Sequence, residues 1–154
     1  MALHTIKIAA ASLVLLTLSS CAATVALEPA ENSNDPQCAE MTVRLPSEIP
    51  GLPNLAKRFT NAQATAAWGD PVAVIFRCGI EPVSVSELPC VTVSDIDWLV
   101  DDGAAPSFRF IAFSRNPAAE LIVDSAVASG VTALESVAGA VASVPATSRC
   151  TSAD

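Results

Sequence analysis

Residues Thr60 to Arg77 read TNAQATAAWGDPVAVIFR. Thr60-Asn61-Ala62-Gln63 has the form of a capping box, in which two side chains satisfy free backbone N–H groups at a helix start. Gly69 sits where a left-handed C-terminal cap belongs, and Pro71 prevents continuation. The punctuation predicts a short helix from about Asn61 to Trp68. Val72 to Arg77 (VAVIFR) is a continuous β-branched run and reads as a central strand. A helix leading straight into a strand points to a mixed fold.

Working outward, Ala39 to Leu45 reads as a first strand with Met41, Val43 and Leu45 on one face. Pro46, Pro50, Gly51 and Pro53 make the next stretch a loop. Downstream, Cys90 to Ser94 and Asp97 to Val100 are shorter strand candidates, and Asp101-Asp102-Gly103 is a turn signal. Ser107 to Phe113 (SFRFIAF) is a clear strand. Glu120 to Val127 is ambiguous: Asn116-Pro117 could start a helix, while Leu121, Ile122 and Val123 favour a strand. Near the end, Thr132 and Glu135 fit a second capping box. Leu134, Val137, Ala138, Val141 and Val144 form one amphipathic stripe, and Pro145 stops it. Gly139 weakens that helix by about 1 kcal/mol relative to Ala. The expected fold is α+β: a mainly antiparallel sheet of four to five strands with both helices on one face.

The N-terminus reads as a targeting segment. Lys7 and His4 precede an apolar run from Ile8 to Leu18, the size of a signal-peptide core. Leu18-Ser19-Ser20-Cys21 follows, the pattern of a bacterial lipobox, in which the cysteine thiol receives the lipid. Two other readings compete: an uncleaved anchor over Ile8 to Leu27, or cleavage near Ala23 or Ala26 to release a soluble protein. All three put the rest of the chain outside the cytoplasm. On the lipoprotein reading, residues 1–20 are lost, 21–37 form a lipid-bearing flexible tether rich in Asn, Ser and Pro, and 38–154 form one small domain. Loss of Lys7 takes the net charge from −8 to −9, and loss of His4 removes the chain's one histidine.

The chain has five cysteines. With Cys21 lipidated, Cys38, Cys78, Cys90 and Cys150 remain, an even set that reads as two disulfides in an oxidising compartment. Three connectivities are possible, and Cys78–Cys90 with Cys38–Cys150 is favoured. A zinc reading fails, since no pair has Cys-x-x-Cys spacing and the mature chain has no histidine to complete a set.

The residues that are scarce narrow the chemistry. Without histidine there is no Ser-His-Asp or Cys-His machinery, and Lys57 is the one lysine outside the signal segment. No GxSxG, P-loop, GxGxxG or HExxH occurs. The scattered basic residues and the pI near 4.4 argue against a nucleic-acid partner. Asp95, Asp97, Asp101 and Asp102 form the densest acidic patch; a Ca²⁺ site or a glycosidase pair is conceivable, but the spacing is not that of an EF-hand. Solvent-facing strand ends are the simpler reading. Trp68 and Trp98 could stack on a ligand, or act as buried packing anchors, which is preferred. Arg77, Arg109 and Arg115 lie on or next to strands, and alternation puts Arg109 opposite Phe108 and Phe110; the three could share an anion-binding surface, but ordinary solvent-facing arginines are the preferred reading.

The runs NAQATAAWGDPVAVIFRCGIEP, ELPCVTVSDIDWLVDD and FRFIAFSRNPAAELIVDS together resemble an actinobacterial envelope family known as domain of unknown function 3515. Trp68-Gly69-Asp70-Pro71 and Arg77-Cys78-Gly79 carry most of the resemblance, which covers about Cys38 to Cys150. It implies a small secreted protein or lipoprotein and brings no catalytic residues or cofactor. The expectation is therefore a non-enzymatic protein, held on the membrane by its N-terminal lipid, that binds another envelope protein or a wall polymer. A small-molecule or glycan carrier is the alternative, and a hydrolase built on two carboxylates the third.

Overall fold

The computed structural model describes residues 23–51 and 55–150. The signal segment, Cys21, Pro53 and the tail 151–154 lie outside the described residues. Helix α1 spans Pro36–Arg44 and α2 spans Gly130–Val141. The strands are β1 (Lys57–Arg58), β2 (Thr65–Trp68), β3 (Val74–Ile80), β4 (Cys90–Val93), β5 (Ile96–Ala104), β6 (Ser107–Ala112) and β7 (Ala118–Asp124). They form one seven-stranded sheet in the order β1-β2-β3-β7-β6-β5-β4, with every neighbouring pair antiparallel. The α+β architecture and the antiparallel sheet match the sequence reading, but the strand count is higher than the four to five expected.

Both helices cover one face. α1 packs on α2 and β3, and α2 runs across from β7 to β4. Under them lie Trp68, Phe76, Trp98, Leu121 and Val123 from the sheet, with Met41, Leu134, Val137 and Val141 from the helices, all fully buried. The α2 stripe read from the sequence is the buried one, and Val144 just beyond the helix joins it. Its cap is Ser129 rather than Thr132, because the Ser129 hydroxyl accepts the Thr132 N–H at 3.3 Å. At the other end, the buried Arg115 guanidinium donates to the carbonyls of Val141 and Val144 and closes the helix C-terminus.

Two elements differ in kind from the expectation. The stretch Asn61 to Trp68 is not a helix. The Thr65 hydroxyl bonds the Ala62 carbonyl at 2.7 Å and the Thr60 hydroxyl at 2.8 Å, and Ala64 takes φ 53°. These local bonds close a turn, and Thr65 to Trp68 continue as a strand against β3. The Gly69 and Pro71 signals then serve the β2–β3 turn. Gly69 has φ +98°, and a Cβ there would meet the Pro71 carbonyl at 2.8 Å. Conversely, Ala39 to Arg44 is helix rather than strand, with Leu45 its C-cap. The Asp35 side chain accepts the Gln37 N–H, and Pro36 occupies the first turn. Cys38, Met41 and Leu45 are buried at helical spacing, while Val43 is 80% exposed.

The segment read as a flexible tether is held from Ala23 onward. The Arg58 guanidinium donates to the Ala23 carbonyl, Val25 N–H to Phe59 O at 2.8 Å, and Asn32 N–H to Gly79 O at 2.9 Å. Gly79 is required there: its φ is +96°, and a Cβ would lie 2.4 Å from the Asn32 carbonyl carbon.

The disulfides are Cys38–Cys78 and Cys90–Cys150, not the favoured pairing. Strand order explains this. Cys78 on β3 lies four strand spacings, about 19 Å, from Cys90 on β4, whereas a disulfide needs Cα atoms within about 7 Å. Cys78 also faces α1, where Cys38 waits at a Cα–Cα distance of 5.5 Å.

Candidate functional site

Side chains alternate across a strand, so residues flanking a core position point to the opposite face. Arg77 lies between Phe76 and Cys78, Glu120 between Ala119 and Leu121, and Arg109 between Phe108 and Phe110. All three therefore leave the helix-covered face. The strands that carry them, β3, β7 and β6, are consecutive at the middle of the sheet. Register sets Arg77 directly opposite Glu120, and Arg109 opposite Ile122, one pleat further along. Arg77 Nε donates to Glu120 Oε1, with Nη2 in ion-pair contact with the same oxygen, and Arg109 Nε donates to Oε2.

Burial is uneven within this cluster. The Glu120 side chain is 0% exposed, whereas those of Arg77 and Arg109 are 29% and 39% exposed. Among the described residues, both Arg109 Nη groups and Arg77 Nη1 meet no protein acceptor. Two guanidinium planes are thus fixed from below by one carboxylate and keep outward donors free. Their net charge is +1 on a protein of net charge −8. Stability alone is a weak reason for this arrangement, because a buried Arg–Glu–Arg set can often be replaced by apolar residues with no loss. As a positioning device it makes sense: planar, preset donors suit carboxylate and phosphate groups. Ile75 and Ile122, half-buried, lie on the same face beside them.

The rest of that face is covered. Leu99, Ile111 and Phe113 pack with Ile80, Val83, Cys90 and Cys150 into a second small apolar cluster. The chain between β3 and β4 and the C-terminal tail form its roof, joined by Cys90–Cys150. Asp97 secures the tail, accepting from the Thr92 hydroxyl at 2.7 Å, Arg149 Nε at 2.9 Å and Cys150 N–H at 3.0 Å. Burial pushes the Asp97 carboxyl up, but these bonds and the Arg149 charge together outweigh it and hold the group below its ordinary value. Beside this roof is an open cleft of about 750 Å³, whose lining includes Ser84, Ser86, Leu99, Phe113, Ser148 and Arg149.

The structure separates the aromatic candidates from the arginines. Trp68 and Trp98 are fully buried on the helix-covered side, and Trp68 Nε1 donates to the Pro46 carbonyl at 3.1 Å. They do not share a surface with Arg77 and Arg109. The acidic patch is dispersed in role: Asp95 sits in the β4–β5 turn at φ 62°, Asp97 holds the tail, and Asp101 accepts the Gly103 N–H at 3.1 Å. Among the described residues, no group of three or more His, Cys, Asp or Glu side chains could hold a metal ion. Sequence reasoning missed Glu120. The signal was a lone acid inside the apolar run Ala118 to Val123, which needs a cationic partner if that run is a central strand.

No curated protein and no solved structure is detectably similar to the chain. Residues 2–149 match the family model described as protein of unknown function (DUF3515), and the chain belongs to that family.

Proposed function

We propose that the protein is a lipid-anchored, extracytoplasmic envelope protein that works by binding. Residues 1–20 direct export, Cys21 carries the lipid, and the open sheet face takes an anionic group of another envelope component, a protein or a wall polymer, between Arg77 and Arg109. The observation that carries the reading is the pair of half-exposed arginines held by the fully buried Glu120. A binding role also agrees with a mature chain that lacks histidine and the common catalytic motifs. Release into the medium after cleavage near Ala23 or Ala26 is the alternative location.

The test is capture from cross-linked membranes. Wild-type protein should enrich a reproducible partner carrying phosphate or carboxylate groups. Arg77→Gln with Arg109→Gln should lower that enrichment at least tenfold, and raised salt should do the same, since exposed charges are screened. Capture that ignores both changes would sink the site. Intact mass of the mature chain reads the anchor independently: a diacylglyceryl group on Cys21 is expected.

A second reading rests on the 750 Å³ cleft, which is within the size range of small-molecule sites. It would make the protein a glycan or small-molecule carrier through serine hydroxyls and Arg149. Saturable binding of a soluble sugar, abolished by Ser84→Trp, would support it over the open face.

A further inference from the structure

We infer that the β1 edge of the sheet rests on the bilayer surface, with the Phe59 side chain in the headgroup boundary beside the lipid on Cys21. The inference rests on the lipid-anchor reading and adds an orientation to it. Its first support is the shortness of the chain between lipid and fold. Ala23 is already fixed, its carbonyl 2.9 Å from Arg58 Nη2. Val25 then runs beside the segment after β1, its N–H bonded to Phe59 O at 2.8 Å and its carbonyl to Asn61 N–H at 3.2 Å. Leu27 N–H reaches Asn61 Oδ1 at 2.8 Å. Only two residue steps separate Ala23 from Cys21, a reach of about 7 Å at full extension. A lipid on Cys21 therefore brings this edge to the membrane.

The second support is what the edge displays. Phe59 is 77% exposed, whereas Phe76, Phe110 and Phe113 are buried. An apolar ring left in water at the point where the chain leaves for its lipid matches an interfacial contact. Lys57 is exposed two residues away. Arg58 is occupied by Ala23, Gly69 and Asp70, and its charge neutralises that of Asp70. The lipid supplies retention and Phe59 supplies orientation. Counting strand spacings from β1, Arg77 then stands about 10 Å and Arg109 about 19 Å above the membrane-facing edge, with β4 about 29 Å away.

Bromolipid quenching tests this on the full mature protein, purified in its native processed form and reconstituted in phosphatidylcholine–phosphatidylglycerol vesicles. The native Trp68 and Trp98 are fully buried and serve as an unquenched background. Bromination of the acyl chains should quench the added emission of Phe59→Trp by at least half and leave that of Val91→Trp, on the far edge, unchanged. Unquenched Phe59→Trp emission, or equal quenching at both positions, would overturn the orientation. Intact mass of the same sample separates the failures: diacylated Cys21 without quenching removes only this inference, and an unmodified N-terminus removes the anchor reading and the orientation with it.

Discussion

Removing the Glu120 carboxylate would leave Arg77 and Arg109 repelling each other across a buried position. Breaking a buried pair costs about 3–5 kcal/mol, but both arginines reach solvent, so Glu120→Gln should cost nearer to about 1–3 kcal/mol, read by urea denaturation. It should also weaken partner capture, because the guanidinium planes lose their preset orientation. Gly79 poses a purely steric case. With φ at +96° and the Asn32 backbone 2.4 Å from where a Cβ would sit, Gly79→Ala should cost at least about 2 kcal/mol. Amide exchange in that variant should loosen first around Asn32 and Ser33. The side that Arg109 faces was legible in the sequence, since alternation against Phe108 and Phe110 already turned it away from the core, but Arg115, grouped with it, is buried at the α2 C-terminus instead. Glu120 was not, because the strand that carries it could equally have been a helix.

At the scale of elements, the roof over the second apolar cluster depends on Cys90–Cys150 and on Asp97. The disulfide closes a span of 60 residues, so Cys90→Ala with Cys150→Ala should lower stability by about 4 kcal/mol on the chain-entropy model. Asp97 adds a pH dependence. Its folded value lies below its unfolded value, so its contribution is present above the ordinary carboxylate range, near pH 4, and is lost as pH falls through the depressed folded value. Amides of residues 147–150 should therefore lose protection on acidification below about pH 4, and Asp97→Asn should remove that dependence. The misread elements share one physical cause. Thr, Gly and Pro punctuate helices and turns alike, and at Thr60 to Pro71 strand pairing with β3 decided between them. At Asp35-Pro36 the helix cap lies within a polar stretch that reads as tether. The stripe of α2 survived because it repeats over three turns and leaves little choice of face.

For the molecule as a whole, the class of fold followed from local patterns, whereas strand order and disulfide pairing did not. Both are set by contacts between distant segments: β7 returning beside β3 is what separates Cys78 from Cys90 and brings Arg77, Glu120 and Arg109 together. That same return places the arginine cluster at the middle of the face opposite the helices. If the arginine cluster exists to bind, apolar replacement should spare the fold and abolish the binding. The most direct measurement is capture from cross-linked membranes by a variant combining Arg77→Met, Glu120→Leu and Arg109→Met. We expect a melting temperature within about 5 °C of wild type or higher, with at least a tenfold loss of the captured partner. Wild-type capture by that folded variant would contradict the account.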